Sequence, residues 1–340
     1  MTVAVCPGCG TEVAPALLAC PACHWLVHAE ELKGLAEQAT GARDRSAALA
    51  AWRQALELLP PDTRQHHAIS EKIAALSREI DTGAPAATAG TEKRNALGKG
   101  AAGLGAVGVL LSKFKLLVGL LLTKGKLLLF GLTKAGTLFS MLLSAGVYWT
   151  MWGWRFALGV VLSIYIHEMG HVQALQRYGI KATAPMFIPG FGAVIRLKQY
   201  PASAREDARV GLAGPLWGLG AAAVAYVAYL ATGAGIWGAI AHFGAWVNLF
   251  NLVPVWQLDG ARGFRALARH QRWLATAVIA VMWLVTGEGL LALLLVAAGL
   301  AAALGRAAEA PDTPALLEYA WLVAVLSLAT LIPVATGTTG

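Results

Sequence analysis

The chain has 340 residues, of which 57% are hydrophobic and 14% charged, and its mean hydropathy is +0.59. A soluble domain is about a quarter charged, so this balance excludes an ordinary soluble globular protein and points to the membrane class. Nine Lys/Arg stand against eleven Asp/Glu before residue 96, and eighteen against eight after it; the net charge of +8 therefore sits in the apolar part, where it sets topology rather than binding nucleic acid.

The opening stretch MTVAVCPGCG has no charged segment followed by an apolar run, so no signal peptide is expected. Residues 1–26 hold all four cysteines, as Cys6-Pro-Gly-Cys9 and Cys20-Pro-Ala-Cys23. Each pair makes a tight knuckle with two thiolates, and two knuckles complete a tetrahedral zinc site. The spacing predicts a zinc ribbon, closed and structural, with His24 and His28 as bystanders. Residues 1–30 contain no Lys or Arg, so nucleic acid is not the expected partner; a protein partner is. Reduced thiols place this end in the cytoplasm.

Residues 27–81 are polar and helix-prone. Ala48, Trp52, Ala55, Leu56 and Leu59 recur at helical spacing, and Pro60 and Pro61 stop that helix. A second helix fits 64–80. The pattern resembles half of a tetratricopeptide-type hairpin. Such repeats need about three copies for stability, so a short helical pair is expected. A linker rich in Ala, Thr, Gly and Pro follows over 82–102.

From 103 onward the chain is nearly continuously apolar. SKFKLLVGLLL (112–122) and TKGKLLLFGLT (123–133) are near-repeats whose lysines form no single face. They read as a segment lying along the membrane surface, with a further span as the alternative. Spans of about 20 apolar residues are expected near 127–146, 153–171, 208–230, 236–253, 272–286, 288–305 and 316–334. The fold class is thus an all-α polytopic membrane protein of about 6–8 transmembrane helices. Arg177, Lys181, Arg196, Lys198, Arg205 and Arg209, and then Arg262, Arg265, Arg269 and Arg272, mark cytoplasmic loops. The aromatic stretch VYWTMWGW (147–154) should be an outward turn. MFIPGFGAVIRL (186–197) has turn residues between β-prone ones and predicts a small cytoplasmic β-hairpin. Gly211, Gly214, Gly218 and Ala222 read as helix-packing contacts, and His242 as a histidine hydrogen-bonded between helices.

The strongest chemical signal is His167-Glu168-Met169-Gly170-His171, at the end of the apolar run SIYIHEMGH. Helix residues four apart share a face, so His167 and His171 can offer two imidazoles to one zinc with Glu168 beside it. Three ionisable residues at one depth of a span are costly and need a purpose. Zinc needs a third protein ligand, and the candidate is Asp259, the only acidic residue between Asp207 and Glu288. It ends another span on the face already assigned as cytoplasmic.

HExxH in one span, with Asn251-Leu-Val-Pro254 and Leu258-Asp259-Gly260 closing a later one, resembles the site-2 protease family of intramembrane metalloproteases. Phe191-Gly192-Ala193 and Ala213-Gly214-Pro215 add to the likeness, which covers about 127–265. Ala261 stands where members often have a second glycine. The resemblance implies His167, His171 and Asp259 as ligands of a catalytic Zn2+, Glu168 as catalytic base and Asn251 as a polar support. It also implies a membrane-protein substrate within the lipid bilayer. The expected location is the inner membrane of a bacterium, with the N-terminus and active site cytoplasmic. A catalytically silent scaffold and a metal transporter are the alternatives. The intact ligand set argues against the first. The lack of polar residues along a through-path argues against the second.

Overall fold

The computed structural model describes residues 4–14, 17–61, 63–82, 135–190, 192–195, 197 and 199–332. The linker over 83–102, the lysine-rich stretch 103–126 and Phe191 lie outside the described residues. Those described form two compact units, Met1–Lys93 with Leu175–Lys181 and Leu197–Ser203, and the remainder.

The first unit begins with the cysteine region. Strands β1 (Ala4–Val5) and β2 (Glu12–Val13) pair antiparallel with Ala4 opposite Val13, and Ala19 bridges Leu26. Three helices follow: α1 (Ala29–Gly41), α2 (Arg45–Glu57) and α3 (Arg64–Thr82). The expected pair is therefore a trio. Leu32, Leu35, Ala36 and Ala39 give α1 an apolar stripe that packs on Leu49, Trp52, Ala55 and Ile73. Full burial of side chains such as Leu49 contributes about 1.5–3 kcal/mol each. The second helix starts three residues earlier than Ala48, because Asp44 caps it by accepting the Ser46 amide. The Ser46 hydroxyl also bonds this carboxylate and holds its pKa below the usual range.

The second unit holds α4 (Ala135–Trp152), α5 (Trp154–Arg177, to Ala174 in this unit), a hairpin of β3 (Met186–Ile188) and β4 (Gly192–Val194), and α6 (Ala204–Thr232). After these come α7 (Gly235–Asn251), α8 (Asp259–Arg265), α9 (Arg269–Thr286), α10 (Gly289–Leu304) and α11 (Thr313–Ala329). The seven expected spans each meet a helix. The aromatic turn is corrected: α4 runs on to Trp152, and only Gly153 separates it from α5. Leu212, Leu249, Leu252, Leu291 and Tyr319 centre one core, drawn from α6 to α11. Tyr165, Met169, Phe187 and Trp217 centre another, joining α5, the hairpin and α6.

Among the described residues one helix, α6, is long and apolar enough to cross a membrane, while α10 and α11 are apolar but shorter. At 1.5 Å per residue, 16 or 17 residues reach about 25 Å, short of a hydrocarbon core of about 30 Å. The expected count of 6–8 spans therefore rests on composition.

The positive loops have structural partners. Arg262 and Arg265 pair with Asp207 at 2.8 and 2.7 Å, fastening α8 to α6. Arg269 donates to the Ala302 and Ala303 carbonyls, and Arg272 to the Ala301 carbonyl. Both guanidinium groups thereby cap the C-terminus of α10, where the helix dipole favours a cation.

Candidate metal centre

Two distant stretches of chain converge in the second unit. On α5, His167, Glu168 and His171 are all buried. Asp259, the first residue of α8, is buried as well. His167 Nε2 lies 3.1 Å from Asp259 Oδ2, His171 Nε2 lies 3.3 Å from Asp259 Oδ1, and the two Nε2 atoms are 3.1 Å apart. The loop that returns α8 to α5 is pinned at its base. The Tyr319 hydroxyl donates to the Leu252 carbonyl at 2.8 Å, and Gly260 packs so closely on Leu252 that a Cβ would fall 1.9 Å from that oxygen.

The outer ring nitrogens fix the inner ones. His171 Nδ1 is 2.8 Å from the Val210 carbonyl, which can only accept, so Nδ1 carries the proton. His167 Nδ1 is 2.7 Å from Asn248 Oδ1. The amide orientation is set because Asn248 Nδ2 donates to the Gly244 carbonyl at 2.7 Å, so His167 also holds its proton on Nδ1. Both Nε2 lone pairs, with a carboxylate, then face one point. That arrangement is repulsive by itself and becomes favourable around a shared cation. A tetrahedral zinc with ligands at about 2.0–2.1 Å spaces its donors by about 3.3–3.4 Å, close to the distances found. The residues fit a zinc with a fourth position left for water.

The polar support is corrected by one turn. The side chain bonded to His167 is Asn248, not Asn251. Both share a face of α7, but Asn251 is its last residue and only half-buried, whereas Asn248 is 3% exposed. This hydrogen bond fixes the ring's orientation and tautomer, as a metal ligand requires.

Sequence reasoning read Gly214 and Gly218 as helix packing and missed their place at the centre. A Cβ on Gly214 would lie 2.2 Å from His171 Nε2 and 2.8 Å from His167 Nε2. A Cβ on Gly218 would lie 2.0 Å from Asn248 Oδ1. One glycine face of α6 thus floors both rings and their support. Pro215 follows directly and lacks the N–H that would bond the Gly211 carbonyl. His242 is corrected too: its buried Nδ1 has no hydrogen-bond partner among the described residues.

In the first unit the four thiols gather. Cys6 and Cys23 sulfurs are 3.6 Å apart, as are those of Cys9 and Cys20, and all four lie within 4.8 Å of one another. Zinc with Zn–S bonds of about 2.3 Å spaces its sulfurs by about 3.8 Å, so this set also fits. The knuckles match: the Gly10 amide donates to Cys6 O, and the His24 amide to Cys20 O, each at 2.9 Å. Both turns need a left-handed residue after the second cysteine; Gly10 (φ +72°) adopts it freely and His24 (φ +60°) at some cost. The Thr11 hydroxyl, with its backbone amide, lowers the Cys9 thiol to about 6, towards the thiolate that a metal binds.

The sequence model of Peptidase family M50 matches residues 155–235, which contain His167, Glu168 and His171. A probable zinc metalloprotease of Arabidopsis thaliana, EGY2, chloroplastic, is 37% identical over 67 residues, 18% of this chain and 12% of that protein. The chain therefore matches about an eighth of that relative's length. No solved structure matches the chain. The histidine-bearing helix and the glycine face beneath it thus lie within the segment of this chain that is similar to Peptidase family M50.

Proposed function

We propose that this chain is an intramembrane zinc endopeptidase that hydrolyses peptide bonds of membrane-spanning substrates. The observation that carries this reading is the buried convergence of His167, His171 and Asp259 beside Glu168. Zinc held there would lower the pKa of a bound water towards about 7 and polarise the scissile carbonyl. Glu168 takes the proton of the attacking water and passes it to the leaving amine. Asn248 and the Val210 carbonyl hold the imidazoles in the tautomer the site needs.

The membrane setting is supported by the outward faces. Phe139, Leu142, Leu284, Val296, Leu304 and Leu317 are each more than 55% exposed, apolar side chains that lipid would cover. Arg262 and Arg265 stand within two turns of Asp259, which supports a site near a positively charged, cytoplasmic face. The expected setting is the inner membrane of a bacterium, and the thiol site is the expected contact for a protein partner.

A substrate helix must unwind before attack, because its backbone is hidden in its own hydrogen bonds. The hairpin supplies an edge for it. Phe187 donates its amide to Ser140 Oγ at 3.1 Å on α4, so Phe187 and Ala193 form a pair that exchanges no bonds. Ala193 N–H and C=O therefore point away from β3, ready to pair with an added strand. Met186, Ile188 and Val194 line the exposed face of that hairpin.

Proteoliposomes containing the full chain and single-span substrates test this reading. Cleavage should appear, stop when zinc is stripped, and return on adding it back. Ala193→Pro, which removes the outward amide, should slow cleavage about tenfold. Cleavage indifferent to zinc would sink the peptidase reading, and full activity in Ala193→Pro would sink the strand-addition step alone.

A further inference from the structure

The first unit includes two pieces of chain from far along the sequence, Leu175–Lys181 and Leu197–Ser203. They are the two stems of a 15-residue excursion, Ala182–Arg196, that carries the hairpin. One side chain reaches both stems. Arg53 on α2 is 6% exposed; its Nε donates to the Tyr178 carbonyl at 3.0 Å and its Nη1 lies 3.5 Å from the Tyr200 carbonyl. The planar guanidinium is suited to this, since its donors diverge in a fixed fork.

Other contacts lock each stem separately. On the outgoing stem, Arg177 donates to the Ile80 carbonyl at 2.7 Å, and the Tyr178 hydroxyl bonds the Asp81 carboxylate. Gly179 sits at φ +64° with its backbone against α2: a Cβ would fall 2.5 Å from the Ala50 nitrogen and 2.7 Å from the Ser46 oxygen. On the returning stem, Gln199 donates to Glu57 at 2.6 Å. Stems of ordinary surface loops are not held by buried charge and backbone-to-backbone packing.

We propose that the N-terminal helical module is a regulatory clamp on the hairpin excursion, with Arg53 as the positioning residue that ties the two stems together. The proposal rests on the reading of the hairpin as the substrate edge. Fixing both ends of a loop removes most of its freedom to spread. A partner that shifts α2 against α3 would part the stems, and the hairpin between them would loosen. The module thereby gives a cytoplasmic signal a mechanical route to the substrate edge.

Hydrogen exchange on the full-length protein in detergent micelles tests the clamp without needing a substrate. Arg53→Ala should make amides in 186–194 exchange at least about tenfold faster, since a charged buried hydrogen-bond donor is lost. Arg53→Lys, which keeps the charge but not the fork, should fall between this variant and wild type. Amides around 163–171 and the zinc content should not change. If 186–194 exchanges as in wild type in both variants, the clamp is wrong, whether or not the module itself has loosened. This readout is independent of cleavage, so its failure leaves the peptidase reading standing, and a failed cleavage assay leaves the mechanical tie between the stems standing while removing its regulatory role.

Discussion

Gly214→Ala is expected to empty the histidine site and abolish cleavage, while zinc at the four cysteines stays. The added methyl would lie 2.2 Å from His171 Nε2, 2.4 Å from its Cε1 and 2.8 Å from His167 Nε2. The Nε2 atoms among them are the ends of the rings that face Asp259. The rings cannot swing away cheaply, because His171 is tied to the Val210 carbonyl and His167 to Asn248. Each buried bond broken leaves a polar group that costs about 1–3 kcal/mol. Metal affinity should fall by at least about a hundredfold. Alanine is otherwise a better helix former than glycine by about 1 kcal/mol, so α6 itself gains nothing adverse except the clash. Metal analysis should show about one zinc per chain instead of about two. Native zinc content with native cleavage would show that the methyl is accommodated and that the rings do not meet α6 here.

Glu168→Gln should leave both zinc ions in place and lower cleavage by about 10²–10⁴-fold, the usual worth of a positioned general base. The substitution keeps shape and volume in a buried site and removes only the ability to take a proton. Unchanged zinc with lost turnover separates this role from that of the ligands. Turnover within a fewfold of wild type would assign the proton transfer to another group.

The chemistry of the centre was more legible in the sequence than its support. His167 and His171 could be paired because helix period alone puts residues four apart on one face. Asp259 stood out as a lone acid in a long apolar stretch. Asn248 did not, because it lies three residues before Asn251 on the same helix, and period alone does not say which of two such amides turns inward. Gly214 and Gly218 carried a signal, small residues at close spacing, that reads equally as two helices touching. Only coordinates show that the thing touched is a ring nitrogen or an amide oxygen. Each expected apolar run coincides with a helix among the described residues, though ends differ by up to about six to eight residues, and helix positions alone do not make them spans. One such difference is 147–152, whose aromatic residues suggested an interfacial turn while the backbone stayed helical to Gly153. The helix α1 was submerged in a polar stretch, since its stripe of Leu32, Leu35, Ala36 and Ala39 is narrow. The stems at 175–181 and 197–203 could not be linked to Arg53 from sequence, because that contact spans more than a hundred residues of chain.

Zinc counting in Asp259→Ala tests most directly whether α5 and the start of α8 share one ion. Wild type should bind about two zinc per chain and Asp259→Ala about one, with the cysteine site still filled and cleavage lost. Two tightly held zinc ions in Asp259→Ala would contradict a centre built from His167, His171 and Asp259.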